Sequence, residues 1–174
     1  VDAGKITEEV KHSRYADEST GRHPSQGMTA PQDDKPGAYS WLKSPRYDGQ
    51  VYEVGPLARM LVSYTQGHAG VKAAVDATLA HFKAPASALV SVLGRHAARA
   101  LECKLVADSM ADWVLQLKPG DPVYTEYTLP EESSGMGLVE GPRGALGHWI
   151  EIKDKKIANY QCVVPTTWNA SPRD

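Results

Sequence analysis

Residues 147–163 read GHWIEIKDKKIANYQCV, and this stretch decides the fold class. Apolar and polar side chains alternate on both sides of the polar segment 153–156, which is typical of two strands joined by a tight turn. We therefore predict an antiparallel hairpin formed by residues 147–152 and 157–161. The period of two begins near residue 123 and returns in parts of 137–152, so the sequence predicts a small antiparallel sheet over 122–168.

The part of the chain before this sheet has the periodicity of helices. Apolar residues recur every three to four positions in the segments 56–67, 71–82 and 86–118. Pro56 suits the first position of a helix, and Pro119 ends the last segment. A helix over 86–118 would be about 50 Å long. Its apolar stripe offers more surface than this chain can cover, and the stripe consists of Leu89, Leu93, Ala97, Leu101 and Leu105.

Residues 1–54 are expected to form a loop-rich lead-in. A short helix is favoured over 5–12, with Thr7 as its N-cap, and the Gly- and Pro-rich stretch 19–37 predicts a long surface loop. Extended segments are expected at 39–42 and 50–54, on either side of a turn at 44–49. With helices over 55–118 and strands over 122–168, the whole pattern predicts one α+β domain. That domain is mainly a helical bundle with a long central helix, followed by a small antiparallel sheet.

Composition and charge argue against several classes of protein. The 174 residues include 19 Lys and Arg against 21 Asp and Glu, a net charge of −2, which does not favour nucleic acid as a partner. No apolar run approaches the roughly 18–20 residues of a membrane span. The two cysteines, Cys103 and Cys162, form no Cys-x-x-Cys pair, and the six histidines are scattered. No zinc site or iron–sulfur cluster held wholly within this chain is therefore expected.

Four stretches of the chain have long and distinctive motifs: EGPRGALGHW at 140–149, NYQCVVPTTWN at 159–169, YEVGPLAR at 52–59 and GRHAARALE at 94–102. Together they closely resemble the large, catalytic subunit of the nickel–iron hydrogenases. The similarity extends from KITEEVKHS at 5–13 to PRD at 172–174 and so covers nearly the whole chain. The most specific motifs are long, and we do not expect such a set by chance.

The resemblance implies a nickel–iron centre with two cyanides and one carbon monoxide on iron, and a small partner subunit whose iron–sulfur clusters carry electrons away. The reaction would be the reversible oxidation of H₂ to protons and electrons. In the family, two Cys-x-x-Cys pairs, one near each terminus, bind the metals. Neither pair occurs here, so we expect an internal fragment that is inactive alone and holds no metal ligand. The resemblance also implies a location in the periplasm or on the outer face of the cytoplasmic membrane, with a membrane cytochrome as a further partner.

The residues that surround the metals in the family do fall within this chain. Cyanide on iron is a buried anion that needs hydrogen-bond donors, which the Arg143 guanidinium and the Thr166 hydroxyl supply. Pro142 and Pro165 each precede a donor and have no N–H, which suits an apolar wall beside carbon monoxide. The resemblance assigns these four residues to the cofactor pocket and gives Arg143 a catalytic role beside the position where H₂ is split. Because a guanidinium stays protonated, we expect Arg143 to supply fixed positive charge rather than to act as a base.

Other polar residues have structural interpretations. Cys103 and Cys162 are expected to pack as small apolar side chains. A structural role is favoured for His148, with a hydrogen bond to a backbone or carboxylate group near the pocket as the alternative. Arg59 and Arg99 are expected to form buried ion pairs or interface contacts. Their candidate partners are Glu53 and Glu102.

Two alternative functions belong to other classes. The first is a metal-free scaffold subunit of the related respiratory quinone reductases, which generally lacks both the paired cysteines and the PRGAL stretch that is intact here at 142–146. The second is a non-catalytic interaction domain whose Ala-rich helix docks a partner. Nickel and iron analysis of the full-length protein separates both alternatives from a hydrogenase.

Overall fold

The computed structural model describes residues 1–174. They form two compact units. The sheet unit comprises Val1–Gly55 and Thr128–Asp174, and the helical unit comprises Pro56–Tyr127. The predicted α+β class is confirmed, because helices and small antiparallel sheets are both present. None of the helices combines the length and the apolar character that crossing a membrane requires.

The helical unit contains three α-helices: α1 at Pro56–Thr65, α2 at Ala69–Phe82 and α3 at Val92–Leu115. The helices predicted near residues 56 and 71 are therefore confirmed, and α2 begins two residues earlier than the apolar pattern indicated. All three helices contribute to one buried cluster, which consists of Leu57, Met60, Val71, Val75, Leu89 and Ala98.

The single helix predicted over 86–118 is wrong, because the chain breaks near residue 90. A 3₁₀ turn at Ala86–Leu89 precedes α3, and the Ser91 hydroxyl caps α3 by accepting a hydrogen bond of 3.0 Å from the Gly94 N–H. Gly94 lies so close to the preceding turn that a Cβ there would be 2.1 Å from the Leu89 carbonyl oxygen. A local cap and a close backbone contact therefore interrupt a continuous apolar stripe.

Much of α3 is exposed in this chain. Leu93, a member of the predicted apolar stripe, is 80% exposed, and Cys103 is exposed rather than buried as predicted. The spacing of four residues identifies one side of a helix, but only the neighbouring helices decide how much of that side is covered. Exposed apolar side chains along α3 include Val92, Val106, Met110, Trp113, Val114 and Leu115.

The larger sheet has three antiparallel strands in sequence order: β3 at Glu132–Gly141, β4 at Gly144–Lys153 and β5 at Lys156–Val163. The predicted hairpin is confirmed as β4 and β5, and its two turn residues, Asp154 and Lys155, have φ of 52° and 58°. These left-handed values match the twist of a tight hairpin.

The strand predicted at 123–127 is wrong. No strand forms there, and Val123 is 103% exposed. The alternation of residue types at 123–127 therefore has no pairing partner, and without one it does not make a strand.

The lead-in differs most from the predictions. Residues 6–9 form a strand, β1 at Ile6–Glu9, rather than part of a helix over 5–12, and β1 pairs antiparallel with β2 at Ser44–Tyr47. The extended segments predicted at 39–42 and 50–54 are also not strands. The turn predicted at 44–49 is wrong for most of its length, because β2 occupies Ser44–Tyr47. β1 buries alternate residues, and its partner strand is distant in the sequence, so the local pattern alone did not reveal the pairing.

The predicted long loop at 19–37 contains a 3₁₀ turn at Pro24–Gln26, and part of it packs on β5. The Lys43 ammonium donates to the Met28 carbonyl at 2.6 Å and to Gln161 Oε1 at 3.1 Å. Asn159 of β5 donates to the Gly27 carbonyl at 3.1 Å. The loop is thus attached to the strand that leads into the last helix, α4 at Pro165–Ala170.

Candidate functional site

Arg143 lies in the turn between β3 and β4. Gly141 pairs with Gly144, so Pro142 and Arg143 are the two loop residues of a tight hairpin, and both are exposed. Pro142 and Arg143 therefore close the hairpin of β3 and β4, and the exposed Arg143 lies at this end of the two strands.

The backbone of this turn lies against the segment Val54–Gly55. A Cβ on Gly144 would be 2.9 Å from the Gly55 nitrogen and 3.0 Å from the Val54 carbonyl carbon. In the opposite direction, a Cβ on Gly55 would be 2.8 Å from the Arg143 carbonyl oxygen. Gly55 has φ of 121° and Gly144 has φ of 140°, values that residues with side chains rarely adopt. The two glycines together allow this close approach of two backbones.

The second proline–donor motif is helical, not extended. Pro165 is the first residue of α4 and Thr166 the second, whereas the sequence predicted strands over 122–168. Proline suits the first position of a helix because its missing N–H would have no partner in the helix. Thr166 is exposed, and the neighbouring Thr167 hydroxyl donates to the Val164 carbonyl at 2.6 Å.

One residue of α4 connects this helix to the Val54–Gly55 segment. The side-chain amide of Asn169 accepts a hydrogen bond from the Val54 N–H and donates one to the Val54 carbonyl, both at 2.9 Å. The Val54–Gly55 segment therefore contacts the Arg143 turn on one side and α4 on the other. The sequence did not reveal this connection, although Val54, Gly55 and Asn169 all lie within the quoted motifs. A motif does not show which distant segment of the chain it contacts.

The donor set fits ligands of the kind that the sequence suggested. Arg143 offers a charged donor, Thr166 a neutral hydroxyl donor, and Pro142 and Pro165 present rings without an N–H. Both donors are exposed in this chain and so are accessible to a group held by other residues. Among residues 1–174, no cluster of three or more His, Cys, Asp or Glu side chains could hold a metal ion.

A largely apolar cavity of about 450 Å³ lies in the sheet unit beside these motifs. Val54 and Trp168 contribute to its wall, and so does Trp149, whose buried indole nitrogen has no hydrogen-bond partner. Arg143 and Thr166 do not line it, so the cavity is distinct from the predicted cofactor pocket.

The prediction that Cys162 packs as a small apolar side chain is wrong, because Cys162 is exposed. Its sulfur lies 3.2 Å from Nδ1 of His148, and the Tyr160 hydroxyl lies 2.7 Å from the same nitrogen. His148 therefore contacts a thiol and a phenol rather than a backbone or carboxylate group. Partial desolvation raises the pKa of Tyr160, and the neighbouring Cys162 adds to this effect.

The predicted pairing of Arg59 with a glutamate is confirmed in the helical unit. Arg59 donates from Nε to Glu102 Oε1 at 2.5 Å and from Nη2 to Glu102 Oε2 at 2.7 Å, and this two-point pair joins α1 to α3. Arg99 is exposed, so the prediction of a buried ion pair at that position is wrong. The alternative prediction, an interface contact of Arg99, stays a prediction.

The sequence of the whole chain matches one protein family. A family model described as nickel-dependent hydrogenase matches residues 1–174. The chain belongs to the nickel-dependent hydrogenase family.

Curated relatives agree with this assignment. The chain is 46% identical to the uptake hydrogenase large subunit of Bradyrhizobium diazoefficiens, covering 98% of this chain and 33% of the relative. It is 40% identical to the hydrogenase-1 large chain of Escherichia coli K12, covering 100% of this chain and 34% of the relative. The chain thus spans about a third of the length of the curated relatives it matches.

Solved structures show the same fold. The Ni-Fe-Se hydrogenase of Desulfovibrio vulgaris Hildenborough aligns with a TM-score of 0.86 and 37% identity, over 100% of this chain and 37% of that chain. The reduced, active Ni-Fe-Se hydrogenase of Desulfomicrobium baculatum aligns with a TM-score of 0.86 and 39% identity over the same shares. The predicted likeness to hydrogenase large subunits is therefore confirmed.

Proposed function

We propose that residues 1–174 are part of the catalytic large subunit of a nickel–iron hydrogenase, which oxidises H₂ reversibly to protons and electrons. One observation carries the proposal beyond family membership. The segment Val54–Gly55 lies against the Arg143 turn and is hydrogen-bonded to Asn169 of α4, the helix that begins with Pro165 and Thr166. A common support of this kind is suited to a pocket that holds one cofactor between the two proline–donor motifs.

A nickel–iron centre, when bound, supplies the metals at which H₂ is cleaved. Arg143 and Thr166 would donate hydrogen bonds to the cyanide ligands on iron, and Pro142 and Pro165 would form an apolar wall for carbon monoxide. Arg143 would further provide a preorganised positive charge beside the reacting position, because its guanidinium does not lose its proton at neutral pH. The metal-binding thiolates would come from residues outside 1–174.

The proposed partner is the small subunit whose iron–sulfur clusters accept the electrons. A membrane cytochrome is a further proposed acceptor, and the periplasm or the outer face of the cytoplasmic membrane is the proposed location. The names of the uptake hydrogenase large subunits among the relatives support the hydrogenase assignment, whereas the location rests on the resemblance alone.

The proposal is tested by Arg143→Lys in the complete large subunit assembled with its small subunit. Lysine keeps the charge but loses the planar fork, so we expect nickel and iron to remain bound and H₂ turnover to fall at least tenfold. Arg22→Lys, at an exposed arginine of the lead-in loop, is the matched control and should retain full turnover. Unchanged turnover in fully metallated Arg143→Lys would refute the role of Arg143.

Metal analysis tests the wider assignment. The complete protein should contain nickel and iron, and a preparation without either metal would instead favour a metal-free scaffold subunit of the quinone-reductase type. A metal-free preparation would equally favour a non-catalytic interaction domain over a hydrogenase.

A further inference from the structure

We propose that Asn169 is a positioning residue, which holds the Arg143 turn and the Thr166 helix in a fixed relation through the backbone of Val54–Gly55. This inference rests on the proposed function for its consequence, but the contact itself does not depend on a cofactor.

The first step is the two-point bond at Val54. The Asn169 amide satisfies both the N–H and the carbonyl of one peptide-chain residue, as the backbone of a neighbouring strand would. Two hydrogen bonds from one planar amide fix both the distance and the orientation of the segment. A single bond would leave the segment free to rotate about the contact.

The second step is the location of Asn169 on α4. Thr166 and Asn169 are three residues apart on this helix, a spacing that places them on neighbouring positions of its surface. α4 is anchored in the sheet unit by Trp168, which is buried in the same core cluster as Trp149 and Val163. Any segment held by Asn169 is therefore held relative to Thr166.

The third step leads from Val54–Gly55 to the turn. The absence of a Cβ at Gly55 and Gly144 allows the two backbones to come into contact, and a Cβ on Gly55 would be 2.8 Å from the Arg143 carbonyl oxygen. A displacement of Val54–Gly55 would therefore also shift the Arg143 backbone. The long guanidinium side chain amplifies such a shift at its tip.

Amide hydrogen exchange of the complete large subunit assembled with its small subunit tests the contact independently of activity. In Asn169→Ala, exchange in the peptides that contain residues 54–55 and 142–145 should accelerate about tenfold or more, since two hydrogen bonds are lost. Asn169→Asp keeps an acceptor for the Val54 N–H but loses the donor to the Val54 carbonyl, so it should restore protection only in part. Asn159→Ala, which removes an amide–backbone bond to Gly27, is the matched control and should leave both peptides unchanged.

Infrared spectra of the assembled enzyme test the consequence. The cyanide stretching bands should shift in Asn169→Ala, because their donors move, and should remain in place in Asn159→Ala. Unchanged exchange at 142–145 in Asn169→Ala would overturn the positioning role, whatever the cofactor. Accelerated exchange combined with unshifted cyanide bands would overturn its effect on the pocket. A wild-type enzyme without cyanide bands would refute the proposed function alone, and the exchange experiment would still decide the contact.

Discussion

Gly144→Ala is the perturbation whose cost can be worked out most directly from the structure. Gly144 has φ of 140°, and a Cβ there would be 2.5 Å from Val54 Cγ2, 2.9 Å from the Gly55 nitrogen and 3.0 Å from the Val54 carbonyl carbon. The Val54 side chain can rotate away, but the two backbone atoms cannot move without displacing the segment that Asn169 holds. Alanine therefore meets both an unfavourable backbone conformation and a steric conflict.

The two contributions have separate magnitudes. A residue with a side chain at such a φ costs on the order of 1–3 kcal/mol, and forcing extra atoms into a packed contact costs about 1–3 kcal/mol more. We therefore expect Gly144→Ala to lower the free energy of unfolding of the sheet unit by about 2–6 kcal/mol. Urea unfolding followed by tryptophan fluorescence measures this loss, since three of the four tryptophans, Trp41, Trp149 and Trp168, belong to the sheet unit.

Gly137→Ala is the matched control. Gly137 lies in β3, on the neighbouring strand, and a Cβ there has no atom within 4 Å. Its substitution should change the free energy of unfolding by less than about 1 kcal/mol. If Gly144→Ala lost less than about 0.5 kcal/mol, or no more than Gly137→Ala, the close approach of the two backbones would be refuted.

Three further predictions concern buried charges and close contacts. Burial raises the pKa of Glu8, and Lys43 opposes this effect only in part. Because the folded state then binds the proton more tightly than the unfolded state, wild type should lose stability relative to Glu8→Gln as the pH rises from about 4.5 through the raised pKa. The expected loss is about 1.4 kcal/mol per unit of pKa shift. Arg59→Lys should destabilise the helical unit by about 1–2 kcal/mol in urea unfolding, because lysine cannot form the two-point pair. Gly94→Ala should cost about 3 kcal/mol or more by circular dichroism during thermal unfolding, since its Cβ would overlap a backbone carbonyl.

The predictions for Glu8 and Arg59 each have a control in the same chain. Exposed Glu131, paired with Lys155, provides Glu131→Gln, whose stability relative to wild type should show no comparable loss between pH 4.5 and neutrality. Asp108→Asn removes the exposed ion pair between Lys104 and Asp108 on α3, and it should lower the free energy of unfolding by at most about 0.5 kcal/mol. Equal losses of stability for Arg59→Lys and Asp108→Asn would contradict the argument for the two-point pair. A stability difference between wild type and Glu8→Gln that did not change with pH would contradict the argument for Glu8. An unaltered melting temperature for Gly94→Ala would contradict the close contact at Gly94.

The sequence by itself determined the elements that depend on local pattern. The hairpin of β4 and β5 followed from alternation around a polar turn, and α1 and α2 followed from apolar spacing after Pro56. The proline–donor motifs and the family resemblance were also visible in the sequence. These features succeed because each is specified by residues that are close together in the chain.

Only the tertiary structure decided which local patterns were realised and which motifs meet. The alternation at 123–127 found no partner, whereas residues 6–9 became a strand because β2 lies beside them. The glycine at 55 looks in the sequence like a simple helix start, yet its role is to let the backbone approach Arg143. Contacts between distant segments depend on the surfaces that the rest of the fold brings together, and neither periodicity nor spacing contains that information.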